Sequence, residues 1–187
     1  MKYNIKWLLN RIEKEEKVKY LFFWSNQPSK NGLITATCFS QWWYAPFVVD
    51  NIIYKTSEHW MMAQKALLFA DAYTFERIIT SKSPGEAKEL GRQVKDFNPL
   101  IWEEKRFDIV LKGNLHKFGQ HENLREFLCN TKERILVEAS PVDNIWGIGL
   151  SSDHVNAEKP DLWNGLNLLG FALMETRDIL QNKMNKN

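Results

Sequence analysis

Thr56-Ser57-Glu58-His59-Trp60-Met61-Met62-Ala63-Gln64-Lys65 is the stretch at which the chain changes character. Thr56-Ser57 puts side-chain oxygens where the free N–H groups of a first helical turn need a cap, which predicts a helix to about Phe69. Upstream the signals are extended. Tyr20 to Trp24 reads as a short buried strand, residues 25 to 46 as a long structured loop, and Phe47 to Tyr54 as a hairpin turning at Asp50-Asn51. Before them, Ile5, Leu8, Leu9 and Ile12 recur at helical spacing, so residues 3 to 18 read as an amphipathic helix. Downstream, helices dominate. Ala72 to Thr80 is one, and Ser83-Pro84-Gly85-Glu86 opens another with a capping Ser, a first-turn Pro and a Glu three residues on. Ile101 to Phe118 and Leu124 to Cys129 follow. Ile135 to Glu138 is a short β-type run, and a loop from Ala139 to about Leu162 leads to a closing helix over Gly165 to Leu180. The pattern implies one compact, predominantly helical α+β domain with a small β element.

Composition narrows the function classes. The 187 residues can bury one substantial core. With 25 basic and 23 acidic side chains the net charge is only +2, so no broad electrostatic pull toward nucleic acid or membrane is expected. Cys38 and Cys129 lie far apart with no CxxC spacing, which points to free thiols. His116, His121 and His154 have no metal-ligand spacing, and there is no P-loop, GxGxxG after a strand, or GxSxG, so neither metal nor cofactor is expected. Met1 to Lys19 mixes charge with apolar residues and no stretch spans a bilayer, which predicts a cytoplasmic protein without membrane attachment. The eight Trp and eleven Phe are mostly core material, with some left to stack on a base.

Three groups of residues suggest chemistry. Glu58 falls in a first helical turn, where the helix dipole favours the ionised carboxylate. Lys65, seven residues on, returns to the same stripe roughly 10 Å along the axis. The alternative is a solvated helix face. A second group runs from Glu138, at the end of an apolar strand, to Asp143 and the loop Trp146-Gly147-Ile148-Gly149. Its glycines permit close backbone approach to a ligand, and they equally suit plain turns. Acids from separate segments are what glycosidic cleavage needs: one for the cationic ribosyl centre, another for the water or leaving-group proton. In the third group, Arg92 and Lys117 bring cations near helix ends, where they would pair with phosphate or simply match helix C-terminal charge.

Taken in order, Thr56-Ser57-Glu58-His59, Gln64-Lys65, Gly91-Arg92, Trp102, Lys117-Phe118 with Gln120, Leu136-Val137-Glu138, Asp143 with Trp146-Gly147-Ile148-Gly149, and Trp163-Asn164-Gly165-Leu166-Asn167-Leu168-Leu169-Gly170 form a distinctive series. Leu173-Met174 and Arg177 complete it. The sequence resembles the NADAR (YbiA-like) superfamily from about Tyr20 to Leu180. A NADAR domain over residues 20–183 behind a helical extension, residues 1–19, is the expected organisation. The resemblance implies an N-glycosyl hydrolase that frees a base nitrogen from a ribose phosphate. Its substrate would be a phosphoribosylamino-pyrimidine intermediate of riboflavin synthesis, or ADP-ribose on guanine in nucleic acid. In the second case an ADP-ribosylating toxin is the expected partner. The resemblance casts Glu58, Lys65 and Asp143 as catalytic, with Lys65 the candidate for a Schiff base to the opened ribose. It places Trp24, Ser40, Gln64, Arg92 and Lys117 at the substrate, together with Glu138, Trp146, Gly147, Gly149 and Asn167. A non-catalytic module binding ADP-ribose or a related nucleotide is the competing reading. Where the family commonly has Phe-Ser-Asn-Phe, this chain has Phe39-Ser40-Gln41-Trp42, a change that bears on base selectivity. The loop from Leu150 to Leu162 is longer than in YbiA-like relatives, which would suit a larger ligand.

Overall fold

The computed structural model describes residues 1–184. In chain order its elements are α1 (Ile5–Glu13), β1 (Tyr20–Phe23), β2 (Phe47–Val49), β3 (Ile52–Tyr54), α2 (Ser57–Leu68), α3 (Ala72–Thr80), α4 (Pro84–Arg92), α5 (Pro99–Gln120), α6 (Glu122–Cys129), β4 (Ile135–Glu138) and α7 (Leu168–Met184). Short 3-10 turns cover Ala36–Phe39 and Pro160–Leu162. The class is the expected one, predominantly helical α+β with a small β element. Two compact units make it up: one joins residues 1–40 to the segment from Glu122 onward, and the other is the continuous stretch Gln41–His121.

The continuous unit is built around α2. Asp50 and Asn51 both adopt positive φ, 49° and 64°, the turn geometry that matches hairpin twist, so β2 and β3 pair antiparallel with Phe47 opposite Tyr54. The Gln120 carboxamide caps the hairpin edge, accepting from Val48 N–H at 2.9 Å and donating to Val48 O at 2.8 Å. Thr56 caps α2, which buries Ser57 through Ala63 without a break. Trp60 crosses to α5, where its indole N–H donates to Ile109 O at 2.8 Å. A Cβ at Gly113 would overlap the Trp60 ring, so only glycine lets α5 approach so closely. A Cβ at Gly91 would likewise overlap the Met62 side chain, so glycine also serves the contact between α2 and α4.

Asp71 caps α3 and also ties down the segment after α4. Its carboxylate accepts from Lys95 N–H and Thr74 N–H, each at 3.0 Å, and these bonds, Lys95 first, hold its pKa at about 2. Because the folded value lies below the ordinary 3.8, this stabilisation is complete above about pH 4 and lost as the pH falls toward 2. Urea titrations at pH 4 and pH 2 should therefore show a smaller acid loss for Asp71→Asn than for wild type. Parallel acid profiles would remove Asp71 from the acid response.

The second unit pairs β1 with β4 in parallel, from Tyr20 opposite Ile135 to Phe23 opposite Glu138. Ile135, Leu136 and Val137 are all buried beneath α7, as a strand covered on both faces requires. At Gly170 a Cβ would overlap the Leu136 carbonyl oxygen, so glycine sets the distance between α7 and β4. The Arg177 guanidinium donates through Nη1 to Thr131 Oγ1 at 2.9 Å and Arg134 O at 3.0 Å, closing the turn between α6 and β4. Tyr3, just ahead of α1, donates its hydroxyl to Asp178 at 2.6 Å and so anchors the N-terminal segment to α7.

At two helix boundaries a positive φ moves the end away from its expected place. α1 stops at Glu13 rather than residue 18, since Glu15 takes a positive φ of 57° that ends the turn. α7 starts at Leu168 rather than Gly165, since Asn167 at φ 52° cannot be helical.

Candidate active site

In the continuous unit, Glu58 lies in the first turn of α2 and is 3% exposed, while its N–H donates to Gln41 O at 2.9 Å. A solvated helix face is thus not where this carboxylate resides. Thr56 Oγ1 lies 2.8 Å from His59 Nδ1, and burial pushes the His59 imidazole pKa down. Gln64 hydrogen-bonds the Tyr54 hydroxyl.

Lys65 closes α2 at its other end. Its ammonium donates to Gly91 O at 2.8 Å and sits 4.0 Å from the Phe97 ring centroid and 5.7 Å from that of Trp102. Burial lowers its pKa, while the aromatic faces and the C-terminal carbonyl of α4 favour the cation. Arg92 projects from α4 and pairs with Glu89 on an exposed surface. Lys117 is the opposite case: it lies on α5 with 0% exposure, its ammonium 5.1 Å from the Phe118 ring.

In the other unit, Glu138, Asp143, Trp146, Gly147, Gly149 and Asn167 form one hydrogen-bonded assembly. The Asn167 carboxamide accepts from Glu138 N–H at 3.0 Å and donates to Leu136 O at 2.9 Å. Asn167 N–H donates to Gly147 O at 3.0 Å, and Ile148 N–H to Glu138 O at 2.9 Å. Asp143 Oδ1 accepts from Ile145 N–H at 2.9 Å and Trp146 N–H at 2.7 Å, and its carbonyl accepts from Gly149 N–H at 3.2 Å. Gly149 holds a φ of 68°, which suits glycine alone at low cost. Asp143 and Asn167 thereby shape the loop and fix the end of β4. Trp24 stands 55% exposed after β1, and Ser40 follows the first 3-10 turn half-buried.

A family model described as the NADAR domain matches residues 22–181, most of both units. The chain belongs to the NADAR family. It is similar to an N-glycosidase of Acanthamoeba polyphaga mimivirus, 40% identical over 168 residues that cover 87% of this chain and 97% of the viral protein. An N-glycosidase of Nostoc punctiforme is 32% identical over 145 residues, covering 78% of this chain and 86% of that protein. The NMR structure of YbiA from E. coli superposes with a TM-score of 0.72 at 29% identity, covering 91% of this chain and 90% of that one.

The NADAR match starts at Phe22, so α1 lies outside it. Gln41 is 6% exposed, and its Nε2 meets Met61 Sδ at 3.8 Å. Among the described residues no group of three or more His, Cys, Asp or Glu is placed to hold a metal ion, and no helix is long and apolar enough to cross a membrane.

One residue escaped sequence reading altogether. Asn114, one turn before Lys117 on α5, is 0% exposed, and neither amide atom has a hydrogen-bond partner. Leaving a buried polar group unpaired costs on the order of 1–3 kcal/mol.

Proposed function

We propose that this NADAR protein is an N-glycosidase that separates a ribose phosphate from the nitrogen of its base. Its relatives from the mimivirus and from Nostoc carry the name N-glycosidase. The observation that carries the reading to this chain is the buried Glu58 carboxylate at the start of α2, in the same unit as the fully buried Lys117 on α5. Burial makes such charges effective on a reacting centre, because little solvent screens them.

In this reading Glu58 faces the ribosyl carbon as positive charge develops there. Lys117, fully buried on α5, takes the nucleophilic role that the resemblance gives to Lys65. Its amine forms a bond to C1′ of the opened sugar while the bond from C1′ to the base nitrogen breaks. The base leaves with a proton, and water then hydrolyses the imine to release the sugar phosphate. Asp143 and Asn167, in the other unit, hold the loop and the end of β4 in shape through the contacts they make. Arg92, on an exposed helix end, remains suited to a phosphate that reaches that surface.

The test is direct. Purified protein is incubated with the phosphoribosylamino-pyrimidine intermediate and, separately, with ADP-ribosylated guanosine. Chromatography should show free base from one of them. Release from the second alone would favour the reading in which the chain reverses an ADP-ribosylating partner. Tight binding of either compound without release would instead mark a nucleotide-binding module.

A further inference from the structure

The Asn114 carboxamide is the polar group that packing does not explain. It lies within α5, one helical turn before Lys117, and both side chains are fully buried. Neither Oδ1 nor Nδ2 has a partner. Asn is also a weaker helix former than Leu, which has nearly its shape. An apolar residue here would remove both penalties, so stability alone does not select Asn.

What it would select for follows from its chemistry. A carboxamide presents one acceptor and one donor side by side in a rigid plane. Phosphate oxygens only accept, and ribose hydroxyls rotate to suit any partner, so neither calls for that fixed pairing. A lactam does, because its ring N–H and adjacent C=O match the carboxamide with two parallel hydrogen bonds. Guanine and an amino-pyrimidinone both carry this edge. Ser57 Oγ and Gln41 Oε1 are also buried without partners, but each is a single atom and encodes no such pair. We infer that Asn114 reads the lactam edge of the departing base. The inference rests on the N-glycosidase reading and adds the feature by which the base is chosen.

Calorimetry on the full chain tests it with probes that require no turnover. Wild type should bind guanosine 5′-monophosphate about 100-fold more tightly than benzimidazole ribotide, whose six-membered ring carries neither donor nor acceptor, as loss of two buried hydrogen bonds implies. Asn114→Leu should erase that preference, leave affinity for ribose 5-phosphate unchanged, and keep or raise Tm. Its kcat/KM on the cleaved substrate should fall by a similar factor. Equal wild-type affinity for the two nucleotides, or binding of neither, overturns the inference whatever the variant does. So does a Leu variant whose ribose 5-phosphate affinity falls in step. Absence of base release by wild type would count against the N-glycosidase reading alone, since the nucleotide comparison still decides the role of Asn114.

Discussion

Glu58→Gln and Lys117→Met are each expected to lower kcat by about 1,000-fold, in the middle of the range for a lost acid–base or nucleophilic group. Gln keeps the size of Glu58 and can still occupy the first turn of α2, where Thr56 provides the cap. What it removes is the negative charge opposite a ribosyl centre that becomes cationic. A drop in kcat with little change in KM is the signature of an interaction made in the transition state. Lys117→Met keeps an unbranched chain in a fully buried position and removes the amine. Borohydride added during turnover should trap a sugar phosphate on a wild-type peptide containing Lys117, and on none in the Met variant. Lys65→Met, by comparison, should retain most of kcat and lose thermal stability, because its ammonium joins α2 to Gly91 O and the Phe97 ring. A trapped adduct at Lys65, with Lys117→Met still active, would return the nucleophile to the end of α2.

Asn167→Ala should produce the largest loss of stability, about 4 kcal/mol by denaturant unfolding. The side chain satisfies two backbone groups of β4, Glu138 N–H and Leu136 O, and truncation leaves both without it. Each such loss is worth about 1–3 kcal/mol when buried. Ala adds strain at a φ of 52°, which Asn tolerates better. Asn167→Asp separates the two ends, since a carboxylate accepts from Glu138 N–H but has no donor for Leu136 O. It should fall between wild type and Ala. A loss under about 1 kcal/mol for Ala would mean that β4 and the loop hold each other without this bridge.

The hairpin and the starts of α2 and α4 were readable because their determinants are local. Asp50-Asn51 suits two positive φ values, and Thr56 and Ser83 cap the helices they precede. The start of α7 was misjudged by three residues because Asn167 turns toward β4, and nothing within residues 165–168 announces a strand some thirty positions earlier. The candidate site was half readable for the same reason. Spacing put Glu58 and Lys65 on one stripe, yet could not choose between a pocket and a solvated face. That choice depended on α2 being buried almost all round over its first two turns, which erases the polar side that periodicity relies on. Asn114 was silent because a single amide in a helix shows neither its burial nor its lack of a partner.

The parallel pairing of β1 with β4 imposes an order on synthesis. β1 leaves the ribosome early, but the strand that completes its hydrogen bonds emerges only after Gln41–His121 and α6 have been made. The intervening stretch is contiguous and can organise as a nascent body while Tyr20–Phe23 waits with an open edge. A chain arrested before Ile135 would therefore expose the edge of Tyr20–Phe23 that β4 covers in the finished fold.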